Sequence, residues 1–170
     1  MDFITDNRGV SEVIGAILVF GLLITLLAVF QTVAVPAANE EIEFEHNQDV
    51  QNDFVKFHEA ATRIGSTDRS ESVGIRAGTG YPTRLLFFNP SDPAGAVRTT
   101  DSRSVTFRNI TATEPETRDY FNGTVGNING SGLSYSVDYN EYRNAPTTNY
   151  EYGLLYNDFG EEQVIRNSGS

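Results

Sequence analysis

Between Val13 and Val35 the chain runs for 23 residues without a charge, and 18 of them are apolar. A helix of that length covers about 35 Å, and about 20 residues suffice to cross the hydrocarbon core of a bilayer. A core helix of a globular domain keeps a polar face at each turn. This segment offers only Thr25, Gln31 and Thr32. It is therefore expected to enter a membrane. Arg8 stands just before the apolar run, and the next base after it is Lys56. The positive-inside bias then puts the N-terminus in the cytoplasm and the remainder outside.

The remainder has a different composition. From Pro36 onward 44 of 135 residues are apolar, with 20 acids against 11 bases. The whole chain carries a net charge of −11, which repels phosphate backbones and argues against nucleic-acid partners. Its bases are eleven Arg and one Lys. Scattered acids with so little lysine suit either a high-salt habitat, where screening reaches about 3 Å at 1 M, or an ordinary acidic extracellular domain. With no cysteine, a disulfide framework and a thiol nucleophile are both excluded.

Three fates are open to the apolar segment. It can remain as a signal anchor. It can be a secretory signal cut after Ala37, with Val35 and Ala37 in the cleavage pocket, although its start is net acidic and its apolar stretch exceeds the usual ~7–15 residues. The third fate uses its front edge, where Arg8, Gly9, Val10, Ser11, Glu12, Val13, Ile14 and Gly15 follow one another. That string, followed by an apolar helix, resembles the start of an archaeal type IV pilin precursor, particularly the haloarchaeal kind. The likeness covers Arg8 to Phe30. It implies cleavage by a membrane-embedded prepilin peptidase between Gly9 and Val10. It also implies a helix that first anchors the subunit and later packs with other pilin subunits in a filament. Two departures stand out: Glu12 occupies a position usually held by proline, and Ile14 stands where bacterial pilins carry an acid. Glu12 either pairs with a neighbour's new amino terminus or only marks the headgroup level. Small residues at Ser11, Gly15 and Ala16 permit close helix approach, which makes Gly15 an assembly candidate with Glu12.

Pro36 interrupts the helical pattern without necessarily ending it. Behind it, Val50, Phe54, Phe57, Ala61 and Ile64 form one stripe, and Gly65 is a stop signal. This predicts an amphipathic helix over 37–64 that lays its stripe on the body and turns its acids to solvent. The four units expected are a leader at 1–9, an apolar helix at 10–36, an amphipathic helix at 37–65 and a β-rich domain at 66–170. Strand-like runs fall at 73–76, 83–88, 104–111, 133–139, 150–156 and 163–166, between turn signals such as Asn122-Gly123 and Asn129-Gly130. The expected fold class is α+β: a long N-terminal helix on an antiparallel sheet, lollipop-shaped like a pilin. The polar stretch 167–170 reads as a tail, or as the point where a longer sheet continues.

Candidate chemistry is sparse. His46 and His58 lie about 18 Å apart along a helix, too far to share a metal, and are expected to face solvent. Glu40, Glu41, Glu43 and Glu45 read as a solvated face. No nucleophile elbow, nucleotide loop or zincin motif occurs, so no catalytic residue, metal site or cofactor is assigned. Asn109, Asn122 and Asn129 begin glycosylation sequons, with Asn122 and Asn129 in turns and Asn109 in a strand. Six of the eight tyrosines follow residue 130, either as an adhesive face or as ordinary strand composition. The expected role is a non-enzymatic filament subunit at the cell surface; the alternative is a monomeric anchored domain that binds a surface or wall ligand.

Overall fold

A computed structural model describes residues 7–64, 70–108, 112–121 and 126–168. The fold is α+β. Its first part is one unbroken helical rod: α1 (Asn7–Val29), a π-helical turn (Phe30–Ala34) and α2 (Val35–Ile64). The span from Val10 to Ile64 counts 55 residues, about 80 Å of helix. The polar side chains of the apolar part are satisfied without water. Thr25 donates to the carbonyl of Gly21 and Thr32 to that of Ala28, each at 2.9 Å, as a lipid-facing helix requires. Proline inside a helix lacks an N–H and crowds the carbonyl four residues before it, here that of Thr32. The π-helical turn that contains Thr32 widens the backbone just ahead of Pro36, so the rod continues through the proline.

The body is built on a five-stranded antiparallel sheet in the order β1 (Gly95–Thr99), β4 (Leu133–Val137), β5 (Thr147–Glu151), β6 (Leu154–Asp158), β7 (Gln163–Ser168). A separate hairpin pairs β2 (Arg103–Phe107) with β3 (Gly126–Gly130), and a short helix, α3 (Pro115–Phe121), lies between them in sequence. The core sits where α2 crosses the sheet: Val50 and Phe54 from the helix, Tyr135 from β4 and Leu155 from β6. Ile75 and Ala77 pack against it from the extended stretch after the rod. Gly95 is obligatory, because the Tyr135 ring lies where any side chain at that position would go.

Several expected elements differ. The run 150–156 is two strands, because Tyr152 and Gly153 take φ of 51° and 81° and close a tight hairpin between β5 and β6. Alternation of side chains carries across such a turn, so periodicity alone does not reveal it. The runs 73–76 and 83–88 join no ladder; Arg76 is held by Asp53 of α2, and Phe87 and Phe88 meet Phe30 and Gln31 of the π-helical turn. Asn129 and Gly130 belong to β3, and the chain leaves that strand at Ser131. Strand β7 extends to Ser168, past the start of the expected tail. Strand β3, Gly-Asn-Ile-Asn-Gly, has Ile128 as its one β-branched residue and so does not register as a strand.

Candidate functional site

Two surfaces of the rod matter for function: one that the body grips and one that it leaves bare. The bare surface is α1. Its large apolar side chains, from Val10 through Val33, are all exposed, between 44% for Leu27 and 69% for Leu18. The most apolar window has a mean hydropathy of 2.9, and none of it is buried. At roughly 1.5 kcal/mol or more per side chain, leaving these residues in water costs tens of kcal/mol. The helix is thus long and apolar enough to span a membrane, and among the described residues none buries its most apolar window. Val10 and Glu12 are exposed at its front, and a Cβ at Gly15 would meet nothing within 4 Å. These candidates therefore share one uncovered helical segment, which Gly9 enters in helical backbone.

The gripped surface is α2, and here the sequence reading needs correction. The buried face runs through Val35, Asn39, Glu43, His46, Asn47, Val50, Phe54 and His58. It is largely polar, whereas Ile64, at the end of the expected stripe, is 40% exposed. Glu43 is fully buried, not solvated. Its Oε1 accepts the backbone N–H of Asn140 at 3.0 Å and the hydroxyl of Tyr81. Its Oε2 accepts the N–H groups of Glu141 and Tyr142 at 2.9 and 2.6 Å. Burial alone would raise the pKa of this carboxyl. The four donors outweigh it and hold the pKa below the usual carboxylate value, while burial and the neighbouring carboxylate push the Tyr81 phenol up to about 12.

His46 and His58 are also buried, not solvent-facing. His46 Nδ1 lies 2.6 Å from the hydroxyl of Tyr139, and burial, aided by the charge of Arg76, lowers its pKa. Further along, Gln51 links Asn47 to Asn157, which accepts from Thr148. Asp53 holds Lys56 at 2.8 Å and the backbone and side chain of Arg76; these donors overcome its burial and lower its pKa. The late tyrosines also turn inward. Tyr135 and Tyr139 are buried, Tyr150 packs edge-on against Phe57, and Tyr142 against Phe44. Several of them pack against α2, as ordinary strand composition would have it. Tyr152, 46% exposed, is the outward one. The signal that finds the buried polar residues is phase. Stepping back from Val50 by three or four lands on His46 and Asn47, then Glu43, Asn39 and Val35, whatever their polarity.

Among the described residues no three His, Asp or Glu side chains converge as metal ligands. An open polar cleft at the far end of the sheet is lined by Arg143, Asn144, Thr147, Asp158 and Glu162. Asn129 is exposed on β3, and Asn109 and Asn122 lie outside the described residues.

No known family profile matches the chain, and no solved structure matches it. The chain is 27% identical over 93 residues to an uncharacterized protein of Archaeoglobus fulgidus. That alignment takes in 55% of this chain and 16% of the relative, so the chain spans only a small part of that protein's length.

Proposed function

We propose that this chain is a structural subunit of an archaeal type IV pilus or a related cell-surface filament. The observation that carries the reading is the bare helix: an apolar rod, continuous with the α2 segment that the body grips, which its own body leaves uncovered. In the precursor, lipid covers it. After cleavage between Gly9 and Val10, copies of the same helix replace the lipid, and the open face at Gly15 lets a neighbouring backbone come close. Glu12 stands at the third position of the mature chain, where its carboxylate can pair with a neighbour's amino terminus. The β-rich body then faces outward, its role structural and not catalytic. The relative's archaeal source agrees with this assignment.

Two measurements test it together. Mass spectrometry of native protein should give an N-terminus at Val10, and electron microscopy of sheared surface material should show fibres containing the chain. An N-terminus at Met1 without fibres favours the lone anchored domain, and one at Ala38 favours ordinary secretion; either result refutes the filament reading.

A further inference from the structure

The three most exposed large apolar side chains among the described residues are not in the rod. They are Leu85 at 98%, Phe88 at 84% and Leu86 at 70%. With Phe87 they form an unbroken run of four in a body that is otherwise polar and acidic. Such a run would ordinarily fold inward. This one is held outward by specific contacts.

The base of the loop is tied at the level of Asn39. Arg84 donates to the side-chain oxygen of Asn39 at 2.8 Å and also to that of Asn89, and Asn89 donates to the carbonyl of Pro82 at 2.8 Å. Its far side is tied lower on the rod. The Gln31 amide donates to the carbonyl of Phe88 at 2.9 Å and accepts its N–H at 3.0 Å. The Phe87 ring lies 4.6 Å from that of Phe30. From Asn39 to Gln31 is eight residues, or about 12 Å along the helix axis. The loop thus descends beside the rod, from where charge resumes at Glu40 to within the uncharged segment.

We propose that residues 85–88 form an interfacial membrane anchor, inserting beside the end of the span at the boundary between lipid headgroups and acyl chains. The occupant follows from position. Phe30 and Gln31 belong to the uncharged segment, so whatever lipid surrounds them also meets the loop that touches them. Leu and Phe side chains suit that boundary, and Arg84 stands at the level of the headgroups. The loop gives the body a second point of attachment and fixes which of its sides faces the bilayer. The inference requires that α1 span a membrane. It does not require cleavage at Gly9 or any filament.

The chain contains no tryptophan, so a single introduced one reports a single place. The full-length chain carrying Phe88→Trp is reconstituted in phosphatidylcholine vesicles whose acyl chains are brominated either near the headgroups or near the bilayer centre. Leu23→Trp, within the span, and Phe159→Trp, in the turn before β7, serve as references. The expected result for Phe88→Trp is a blue-shifted emission and a loss of intensity that is greater with shallow bromine. Leu23→Trp should respond most to deep bromine and Phe159→Trp to neither. Leu85→Trp repeats the test at the most exposed position. An unquenched, water-like Phe88→Trp beside a quenched Leu23→Trp overturns the proposal. A blue-shifted but unquenched Phe88→Trp also overturns it, since another copy of the chain then covers the loop. An unquenched Leu23→Trp overturns both the loop proposal and the anchoring on which it depends.

Discussion

Replacing Glu43 tests how the body is held to the rod. Its carboxylate is wholly buried and collects three backbone N–H groups from residues 140–142 and the Tyr81 hydroxyl. Hydrogen bonds to a charged group contribute about 1.5–3 kcal/mol each, but they do not add. Removing one side of a buried charged arrangement costs about 3–5 kcal/mol, a large part of the roughly 5–15 kcal/mol that holds a domain together. Glu43→Ala should fall in that range. Glu43→Gln should cost nearly as much, because its amide NH₂ brings donors to a site already filled with donors.

The same residue sets an acid limit. The folded pKa lies below the ordinary carboxylate value of 4.5, so the unfolded chain binds more protons in the interval between them. Stability from Glu43 is therefore fully present above about 4.5 and is lost as pH falls toward the folded value. Asp53 acts with the same sign from its own ordinary value of 3.8. Urea unfolding of the full chain in detergent micelles, followed by tyrosine near-UV circular dichroism, measures both effects. In Glu43→Gln the acid-dependent loss should shrink to the part due to Asp53 and the other carboxylates. A cost under about 1 kcal/mol, with the acid limb of the wild type unchanged, would show that the carboxylate does not hold the body to the rod.

Other substitutions probe other parts. Gly9→Val should leave the precursor uncleaved and membrane-bound, read as an unchanged intact mass; normal processing would count against the leader assignment. Gly95→Val drives a branched side chain into the Tyr135 ring and should cost about 1–3 kcal/mol by the same urea assay. Phe54→Ala, fully buried at the crossing of helix and sheet, should cost about 3–5 kcal/mol. With a net charge of −11, the melting temperature should rise between low and molar salt, and a flat response would remove the high-salt reading. Intact mass of native protein should show added sugar at exposed Asn129, and an Asn129→Gln variant should lose it.

The parts of the fold legible in the sequence were those written in hydrophobicity. The bare rod, the continuation past Pro36, and strands β4 and β7 follow from apolar runs and periods. The parts missed were written in hydrogen bonds. Glu43, His46, Asn47 and Gln51 are polar letters on a buried face, and a stripe defined by apolar residues passes over them. Partners some hundred residues away in sequence, such as Glu141 for Glu43 and Asn157 for Gln51, leave no local trace. Glu12 and Gly15 fall on the uncovered helix that the apolar run predicted. The loop at 85–88 read as a strand because its composition is that of a buried one, and its contacts with Phe30 and Gln31 exist only in three dimensions.

A polar grip also answers a problem that the apolar rod creates. A chain with 18 apolar residues in one run gives any second apolar surface a competing place to dock. Had residues 39, 43, 47 and 51 been leucines, the inner face of the body could slide along the rod, because hydrophobic contact has no direction. Hydrogen bonds do have direction. The carboxylate with its three converging N–H groups, and the bonds that join Gln51 to Asn47 and to Asn157, form in one register alone, although the amide nitrogens of Asn39 and Asn47 are buried without a partner even there. Burying the bonded groups anywhere else would leave them unpaired at about 1–3 kcal/mol each. A face of this kind is expected to select the register and to keep the body off α1. The inference has a direct check. The quadruple leucine variant should keep its helix content but lose the fixed tyrosine near-UV signal, and retention of a native signal would show that apolar packing alone suffices.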